Sequence, residues 1–131
     1  MATVLICDDS IPMRKAMLDI LESGGHEVIV GEDGLDAVWL YREHRPDCAL
    51  LDIEMPIMTG IEAVTKIMLI DPAAKIAMVT AVRNESNVLQ AMSAGAVDYM
   101  GKPYGRERVL GTIDKLLGTA EAEPARLTAK R

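Results

Sequence analysis

Apolar and polar positions follow two alternating patterns along the chain. Five short apolar runs predict strands, and the segments between them carry apolar residues every three or four positions, which predicts helices. The predicted strands are Val4–Cys7, His26–Gly31, Cys48–Ile53, Lys75–Thr80 and Val97–Met100. The predicted helices are Ile11–Ser23, Leu35–His44, Thr59–Ile70, Asn84–Ala94 and Arg106–Leu117.

These five strand–helix units predict an α/β fold. Strands joined by helices of this length make right-handed crossovers, so we expect a doubly wound parallel sheet with helices on both faces. Strands in such a sheet are buried on both sides, which agrees with their continuous apolar runs. We expect one domain over residues 1–118. Residues 119–131 are small, charged and interrupted by Pro124, so they are interpreted as a flexible tail or the start of a linker.

Composition narrows the class of protein. The chain has 131 residues, of which 50% are hydrophobic, and a net charge of −6. This charge argues against direct nucleic-acid binding, which depends on cationic neutralisation of phosphates. No signal peptide is recognisable and no apolar run has the length of a membrane span, so we expect a cytoplasmic protein without membrane insertion. Cys7 and Cys48 lie offset on neighbouring predicted strands, and we expect no disulfide.

The stretch TVLICDDS carries two adjacent carboxylates, Asp8 and Asp9, at the end of the first predicted strand. Asp52 lies at the end of the third strand, Thr80 ends the fourth, and Lys102 follows the fifth. Ligands of open parallel sheets bind beyond the carboxyl ends of the strands. If the sheet is parallel, all five side chains meet at that edge.

Three converging carboxylates need a compensating charge. Oxygen ligands favour Mg²⁺, which usually binds one or two carboxylates together with phosphate oxygens. A carboxylate can act as a nucleophile and form an aspartyl phosphate. Lys102 and Thr80 could then stabilise charge on the phosphoryl oxygens. The pattern therefore indicates phosphoryl chemistry with Mg²⁺.

These motifs, in this order, resemble the response-regulator receiver domains, including the single-domain chemotaxis regulators. The matching pieces are Asp8-Asp9, DIEMPIMTG with Asp52, Thr80-Ala81, and AGAVDYMGKP with Lys102-Pro103. The resemblance covers about residues 2–118. It implies a flavodoxin-like (βα)5 fold with strand order 2-1-3-4-5, and a two-component phosphorelay protein.

The resemblance also implies residue roles. Asp52 would accept a phosphoryl group from a sensor histidine kinase or a histidine phosphotransfer domain. Mg²⁺ would be bound by Asp9, Asp52 and the backbone carbonyl of Glu54, with Asp8 acting through water. Lys102 would pair with the phosphoryl oxygens, and its bond to Pro103 would be cis.

Two further residues would convert phosphorylation into a signal. Thr80 would move toward the phosphate and Tyr99 would turn inward. The face formed by the fourth helix, fifth strand and fifth helix would then change its affinity for a downstream target protein. Glu54 and Val82 would flank the approach of the hydrolytic water, and we hypothesise that they slow autodephosphorylation.

Other interpretations stay open from sequence alone. The chain could be a stand-alone chemotaxis-type regulator or a receiver domain cut from a larger regulator with an output domain. A pseudo-receiver, with the fold but no phosphorylation, is disfavoured by the complete acidic cluster. A Mg²⁺-dependent phosphohydrolase acting through an aspartyl phosphate is also disfavoured, because no segment is left to build a cap over a substrate. We therefore expect no enzymatic activity beyond self phosphotransfer and autodephosphorylation.

Overall fold

The computed structural model describes residues 1–81 and 85–118, and within them five strands alternate with five helices. The strands are β1 Thr3–Cys7, β2 Glu27–Gly31, β3 Cys48–Asp52, β4 Ile76–Thr80 and β5 Asp98–Gly101. The helices are α1 Ile11–Ser23, α2 Gly34–His44, α3 Gly60–Ile70, α4 Glu85–Ala94 and α5 Arg106–Leu117. Both α1 and α5 have the predicted bounds.

In each of the other elements, one end differs from the prediction by one residue, and in β5 both ends do. Thr59 was predicted to begin a helix but is the N-cap of α3, where its side chain accepts from the Glu62 N–H while the Glu62 carboxylate accepts from the Thr59 N–H. This capping box satisfies two backbone donors that the first helical turn leaves unpaired. Asn84, the predicted start of the fourth helix, lies outside the described residues.

The sheet is parallel, with strand order β2-β1-β3-β4-β5. The predicted fold class is confirmed, and so is the strand order that the resemblance implies. The order places β1, β3 and β4 in the interior of the sheet and β2 and β5 at its edges. Because all five strands run the same way, their carboxyl ends meet along one rim of the sheet.

Hydrophobic clusters cover both faces of the sheet. On one face, α2, α3 and α4 pack on Leu5, Leu51 and Met78, and on the other, α1 and α5 pack on Ile6, Leu50 and Val79. Neighbouring positions along each strand thus point to opposite clusters, which explains the unbroken apolar runs of the central strands. The strands that deliver the polar rim residues are therefore held from both sides.

Some apolar residues at helical spacing are exposed. Leu35 and Trp39 belong to the apolar pattern of α2, yet they are 53% and 57% exposed. On α4, Leu89 and Met92 are 67% and 38% exposed. Spacing identifies an apolar stripe, but how much of that stripe is covered depends on the neighbouring helices.

The two cysteines are free and buried. Val4 pairs with Cys48 across β1 and β3, so Cys7 lies three positions further along the sheet. Burial raises the pKa of both thiols to about 12. Among residues 1–81 and 85–118, no helix is both long and apolar enough to span a bilayer.

The end of the sheet opposite the rim contains a partly buried hydrogen bond to a charged group. Tyr41 of α2 is 2% exposed, and its hydroxyl donates to Asp71 Oδ2 at 2.7 Å. This hydrogen bond, together with the Ala73 N–H, lowers the pKa of the Asp71 carboxyl. Since Asp71 is the C-cap of α3, the bond ties the carboxyl-terminal ends of α2 and α3 together.

We predict that Tyr41→Phe lowers the free energy of unfolding by about 1 kcal/mol at pH 7, because a hydrogen bond to a charged acceptor is lost. A carboxyl with a lowered pKa stabilises the fold above its unfolded pKa, and this contribution disappears as the pH falls through the folded pKa. The difference from wild type should therefore shrink below about pH 4. Urea unfolding at several pH values measures it. Tyr104→Phe is the control, because the Tyr104 hydroxyl donates to the neutral Met13 carbonyl at 3.3 Å and its loss should not depend on pH in this range.

Candidate functional site

The predicted rim residues lie at the carboxyl ends of the strands. Asp8 and Asp9 directly follow β1, Asp52 is the last residue of β3, and Lys102 directly follows β5. One carboxylate oxygen from each of the three aspartates lies within 4.8 Å of the others. The fold thus brings together side chains that are far apart in sequence.

Lys102 bridges two of these carboxylates. Its Nζ lies 2.8 Å from Asp8 Oδ2 and 3.1 Å from Asp52 Oδ2. The three side chains are only 14%, 12% and 6% exposed, respectively. Charges this far from solvent are costly unless they are paired, so the Lys102 ammonium offsets part of the cost of placing two carboxylates beside one another.

Burial and the neighbouring opposite charge have opposing effects on the pKa values of Asp52 and Lys102. Burial raises the pKa of Asp52 to about 6, with a further rise from the charge of Asp8 and an opposing effect of the Lys102 hydrogen bond. Burial on its own would lower the pKa of Lys102, but hydrogen bonds to Asp8 and Asp52 outweigh it and raise the pKa of the ammonium. The three carboxylates therefore place more negative charge at the site than the single Lys102 ammonium neutralises.

Backbone groups fix the two bridged carboxylates. Asp8 Oδ1 accepts from the Ser10 N–H at 2.9 Å, and Asp52 Oδ1 accepts from the Glu54 N–H at 3.2 Å. The Arg14 guanidinium of α1 donates to the Asp8 carbonyl at 2.8 Å. The sequence analysis missed Ser10 and Arg14. A serine two positions before Pro12 is a helix N-cap signal that could have identified Ser10, which caps α1, whereas no spacing rule predicts the Arg14 contact.

Two glycines allow close backbone contacts around the loop after Asp52. A Cβ at Gly60 would lie 2.1 Å from the Asp52 carbonyl oxygen, and a Cβ at Gly34 would lie 2.0 Å from the Met58 carbonyl oxygen. These distances exclude any side chain. The first residues of α2 and α3 therefore press directly on the loop and fix the direction in which β3 delivers Asp52.

The remaining predicted site residues lie at different depths. Thr80 is buried at the end of β4, and its carbonyl accepts from the Lys102 N–H at 2.9 Å. Tyr99 lies below the rim on β5, opposite Met78, and is partly buried against the cluster under α2, α3 and α4. Glu54 is exposed just beyond Asp52. Val82 lies outside the described residues.

The loop that carries Lys102 has the conformation that the resemblance implied. The Lys102–Pro103 peptide bond is cis. The Tyr104 hydroxyl donates to the Met13 carbonyl of α1. The loop after β5 is therefore attached to α1 on the other side of the acidic cluster.

The donor set of this rim fits a hard divalent cation. All three clustered groups are carboxylates, and Asp9 is exposed, so one side of the cluster is open to a metal and its waters. Asp8, Asp9 and Asp52 could thus hold a metal ion, and oxygen-only ligands suit Mg²⁺, Ca²⁺ or Mn²⁺ better than zinc. The excess negative charge would be relieved by such an ion.

The sequence profile of the family described as "Response regulator receiver domain" matches residues 4–114. The chain belongs to this family. The chemotaxis protein CheY of Bacillus subtilis is 44% identical over 115 residues, which are 87% of this chain and 96% of that protein. CheY of Thermotoga maritima is 43% identical and covers 86% of this chain and 95% of that protein.

Solved structures agree with the family. A CheY-like receiver domain protein from Methanospirillum hungatei superposes with a TM-score of 0.86 at 29% identity, covering 94% of this chain and 98% of that one. CheY in a CheX–CheY–BeF3–Mg complex from Borrelia burgdorferi gives a TM-score of 0.83 at 35% identity, covering 87% of both chains. The protein is therefore a receiver domain homologous to CheY, from a family of two-component signalling modules rather than classical enzymes.

Receiver domains also occur inside longer proteins. A protein-glutamate methylesterase/protein-glutamine glutaminase of Haloarcula marismortui is 40% identical over 103 residues, which cover 77% of this chain but 28% of that protein. Similarity to the receiver domain alone thus does not determine the output of a given family member.

We predict that Asp52→Asn stabilises the metal-free protein at pH 7 by about 1–3 kcal/mol, because it removes a buried charge from an overcharged cluster. A carboxyl with a raised pKa costs stability above its folded pKa, and the cost disappears as the pH falls below its unfolded pKa. With the pKa of Asp52 at about 6, the advantage of the variant should fall between pH 6 and about 4.

Denaturant unfolding in EDTA across this pH range measures the effect. Asp19→Asn, on the exposed side of α1, is the matched control and should give no pH-dependent gain. An Asp52→Asn variant that is less stable than wild type at pH 7 would show that the cluster is not overcharged.

Proposed function

We propose that Asp52 is the phosphoacceptor of a two-component phosphorelay. The donor is a phosphohistidine on a sensor histidine kinase or a histidine phosphotransfer domain. The observation that carries the proposal is the bridge from Lys102 to Asp8 and Asp52, because it places a fixed cation beside a carboxylate that burial and neighbouring charge make reactive. The 44% identity to a CheY protein supports the same assignment.

We assign the metal of the site as Mg²⁺, with Asp9, Asp52 and the Glu54 carbonyl as ligands and Asp8 acting through water. The exposed side of Asp9 leaves room for the waters that Mg²⁺ retains. A relative from Borrelia burgdorferi was solved with BeF3 and Mg, which supports this choice of metal. When bound, Mg²⁺ supplies positive charge that favours the approach of an anionic phosphoryl group.

In the proposed transfer, an Asp52 carboxylate oxygen attacks phosphorus. The new O–P bond forms as the N–P bond of the phosphohistidine breaks, and its electron pair stays on the imidazole nitrogen. Lys102, already within hydrogen-bond reach of Asp52, turns part of its charge toward a phosphoryl oxygen. The Thr80 hydroxyl, at the end of the next strand, donates to another.

We further propose that Thr80 and Tyr99 are the switch. Tyr99 is partly buried on β5, three residues before Lys102, so movement at the rim can be passed to its ring. The readout surface is the α4–β5–α5 face, where Leu89 and Val97 are 67% and 55% exposed and could be covered by a downstream target protein. Both the phosphate and the target then bias one two-state element.

The output that we propose is that of a chemotaxis-type regulator acting in the cytoplasm. CheY of Bacillus subtilis matches 87% of this chain over 96% of its own length, which supports that role. In this proposal residues 1–118 are the receiver domain, and residues 119–131 lie outside the described residues. The domain has no catalytic output beyond its own phosphotransfer and hydrolysis, and it does not bind nucleic acid directly.

Glu54 and Val82 are proposed to slow hydrolysis of the phosphate. The exposed Glu54 carboxylate lies two residues beyond Asp52, where it could repel or deflect an approaching water. Val82 occupies the equivalent position after Thr80 in sequence. A half-life of the phosphorylated protein of only seconds would contradict this proposal.

Incubation with acetyl phosphate and Mg²⁺ tests the phosphoacceptor. We expect one acid-stable, base-labile phosphate per chain, located on Asp52 by borohydride reduction and mass spectrometry. Asp52→Asn should acquire no phosphate. The control variant Asp19→Asn should behave as wild type.

Two outcomes would overturn the proposal. Phosphate on a different residue in the wild type would exclude Asp52 as the acceptor. Sustained turnover of phosphate monoesters would indicate a phosphohydrolase instead.

A further inference from the structure

The outer edge of β5 has unusual protection at Tyr99. Because β5 is the last strand of the sheet, backbone groups on its outer side have no neighbouring strand to pair with. The Tyr99 N–H nevertheless donates to Asp98 Oδ1 at 2.8 Å, and the Tyr99 carbonyl accepts from Arg108 Nη2 at 2.7 Å. Side chains thus hold both backbone groups of this one residue.

The two capping side chains are attached to α5. Arg108 lies on this helix, and Lys115, about two turns further along the same face, approaches Asp98 Oδ2 to 3.5 Å. At this distance the Lys115–Asp98 contact is an ion pair without a hydrogen bond. One face of α5 therefore holds the outer edge of β5 through Arg108 directly and through Lys115 and Asp98 indirectly.

The inner edge of β5 is fixed at a second point. The Lys102 N–H donates to the Thr80 carbonyl of β4 at 2.9 Å. Tyr99 and Lys102 are three residues apart, so the backbone between them is held on one side by β4 and on the other by Asp98 and Arg108. With both ends fixed, the Tyr99 ring can turn only about its side-chain torsions, and Lys102 keeps its position relative to Asp8 and Asp52.

We propose that Asp98 and Arg108 are positioning residues that fix the backbone of β5 at Tyr99 and thereby keep Lys102 in place for the phosphoryl group. This inference rests on the proposed function, which gives Tyr99 and Lys102 their roles. Asp98 and Arg108 touch neither the acidic cluster nor a phosphoryl group. They act through the strand that carries the switch and the lysine.

Binding of Mg²⁺ and binding of beryllofluoride depend on different residues of the site, so their affinities can be compared. The proposed Mg²⁺ ligands lie on or directly after β1 and β3, away from β5. Beryllofluoride, which stands in for the phosphoryl group, additionally needs Lys102 after β5. Loss of the two caps would displace the Lys102 ammonium without removing its charge. It should therefore weaken beryllofluoride binding while changing Mg²⁺ affinity less than removal of the charge would.

The experiment compares Asp98→Ala and Arg108→Ala with two matched controls in the full chain. Arg106→Ala makes the same charge change on α5 at a residue that bonds to Ser23 Oγ instead of β5. Asp98→Asn removes the charge but keeps an oxygen that can accept from the Tyr99 N–H. The readouts are amide exchange of Tyr99 by NMR, Mg²⁺ affinity, and beryllofluoride affinity at saturating Mg²⁺.

We expect Asp98→Ala and Arg108→Ala to weaken beryllofluoride binding by about threefold to tenfold, the range that corresponds to loss of one hydrogen bond. In Asp98→Ala the Tyr99 amide should also exchange at least about fivefold faster. Mg²⁺ affinity should stay within about twofold of wild type, and Arg106→Ala and Asp98→Asn should resemble wild type. If Arg108→Ala fails to fold, Arg108→Lys, which shortens the donor and loses the planar fork, takes its place.

Three results would overturn the inference. In the first, the Ala variants bind beryllofluoride as tightly as Arg106→Ala does. In the second, the Tyr99 amide exchanges faster but beryllofluoride affinity is unchanged. In the third, the Ala variants lose Mg²⁺ and beryllofluoride affinity together, as a generally destabilised fold would. Failure of the proposed function has a different signature. In that case the wild type itself would not bind beryllofluoride with Mg²⁺, or Asp52→Asn would bind it equally well.

Discussion

The structure depends on an imbalance of charge at one rim of the sheet. Three carboxylates, from Asp8, Asp9 and Asp52, lie within 4.8 Å of one another, and the Lys102 ammonium pairs with two of them. Burial makes the ionised form of Asp52 unfavourable, as its raised pKa indicates. Such a site is stabilised by any added positive charge, and under the proposed function it responds strongly when a doubly charged phosphoryl group arrives. A signalling domain needs both properties.

The rest of the fold keeps these charges from moving apart. Two hydrophobic clusters hold the central strands from both faces, and the close contacts at Gly34 and Gly60 fix the loop after Asp52. Lys102 is held by β4 and by the attachment of its loop to α1 through Tyr104. The repulsion between these carboxylates can therefore be relieved by binding of a cation rather than by relaxation of the backbone.

Much of this could be predicted from the sequence, because the signals were periodic or lay at strand ends. Continuous apolar runs such as CALLD and IAMVT predicted buried parallel strands, and the polar residue that ends each run predicted the rim. The register was less predictable. The sequence analysis expected an offset between Cys7 and Cys48 without fixing its size. The pairing of Cys7 with Leu51 sets that offset at three residues and places Asp8 opposite Asp52. A shift of one residue cannot be read from patterns that are apolar on both faces.

Contacts made by long polar side chains could not be predicted either. Arg14 binds the Asp8 carbonyl and Arg108 binds the Tyr99 carbonyl, and neither contact follows from spacing along the chain, since each depends on how a helix packs against a strand. The exposure of Trp39 has a similar origin. An apolar stripe predicts the face of α2, but the extent of its cover is set by the packing of the neighbouring helices.

A calorimetric titration with Mg²⁺ tests the charge imbalance most directly. Wild type is compared with Lys102→Met and with Lys66→Met, which removes an exposed lysine of α3. If the rim carries uncompensated negative charge, Lys102→Met should bind Mg²⁺ at least about threefold more tightly than wild type, and Lys66→Met should not. Equal or weaker binding by Lys102→Met would contradict the account.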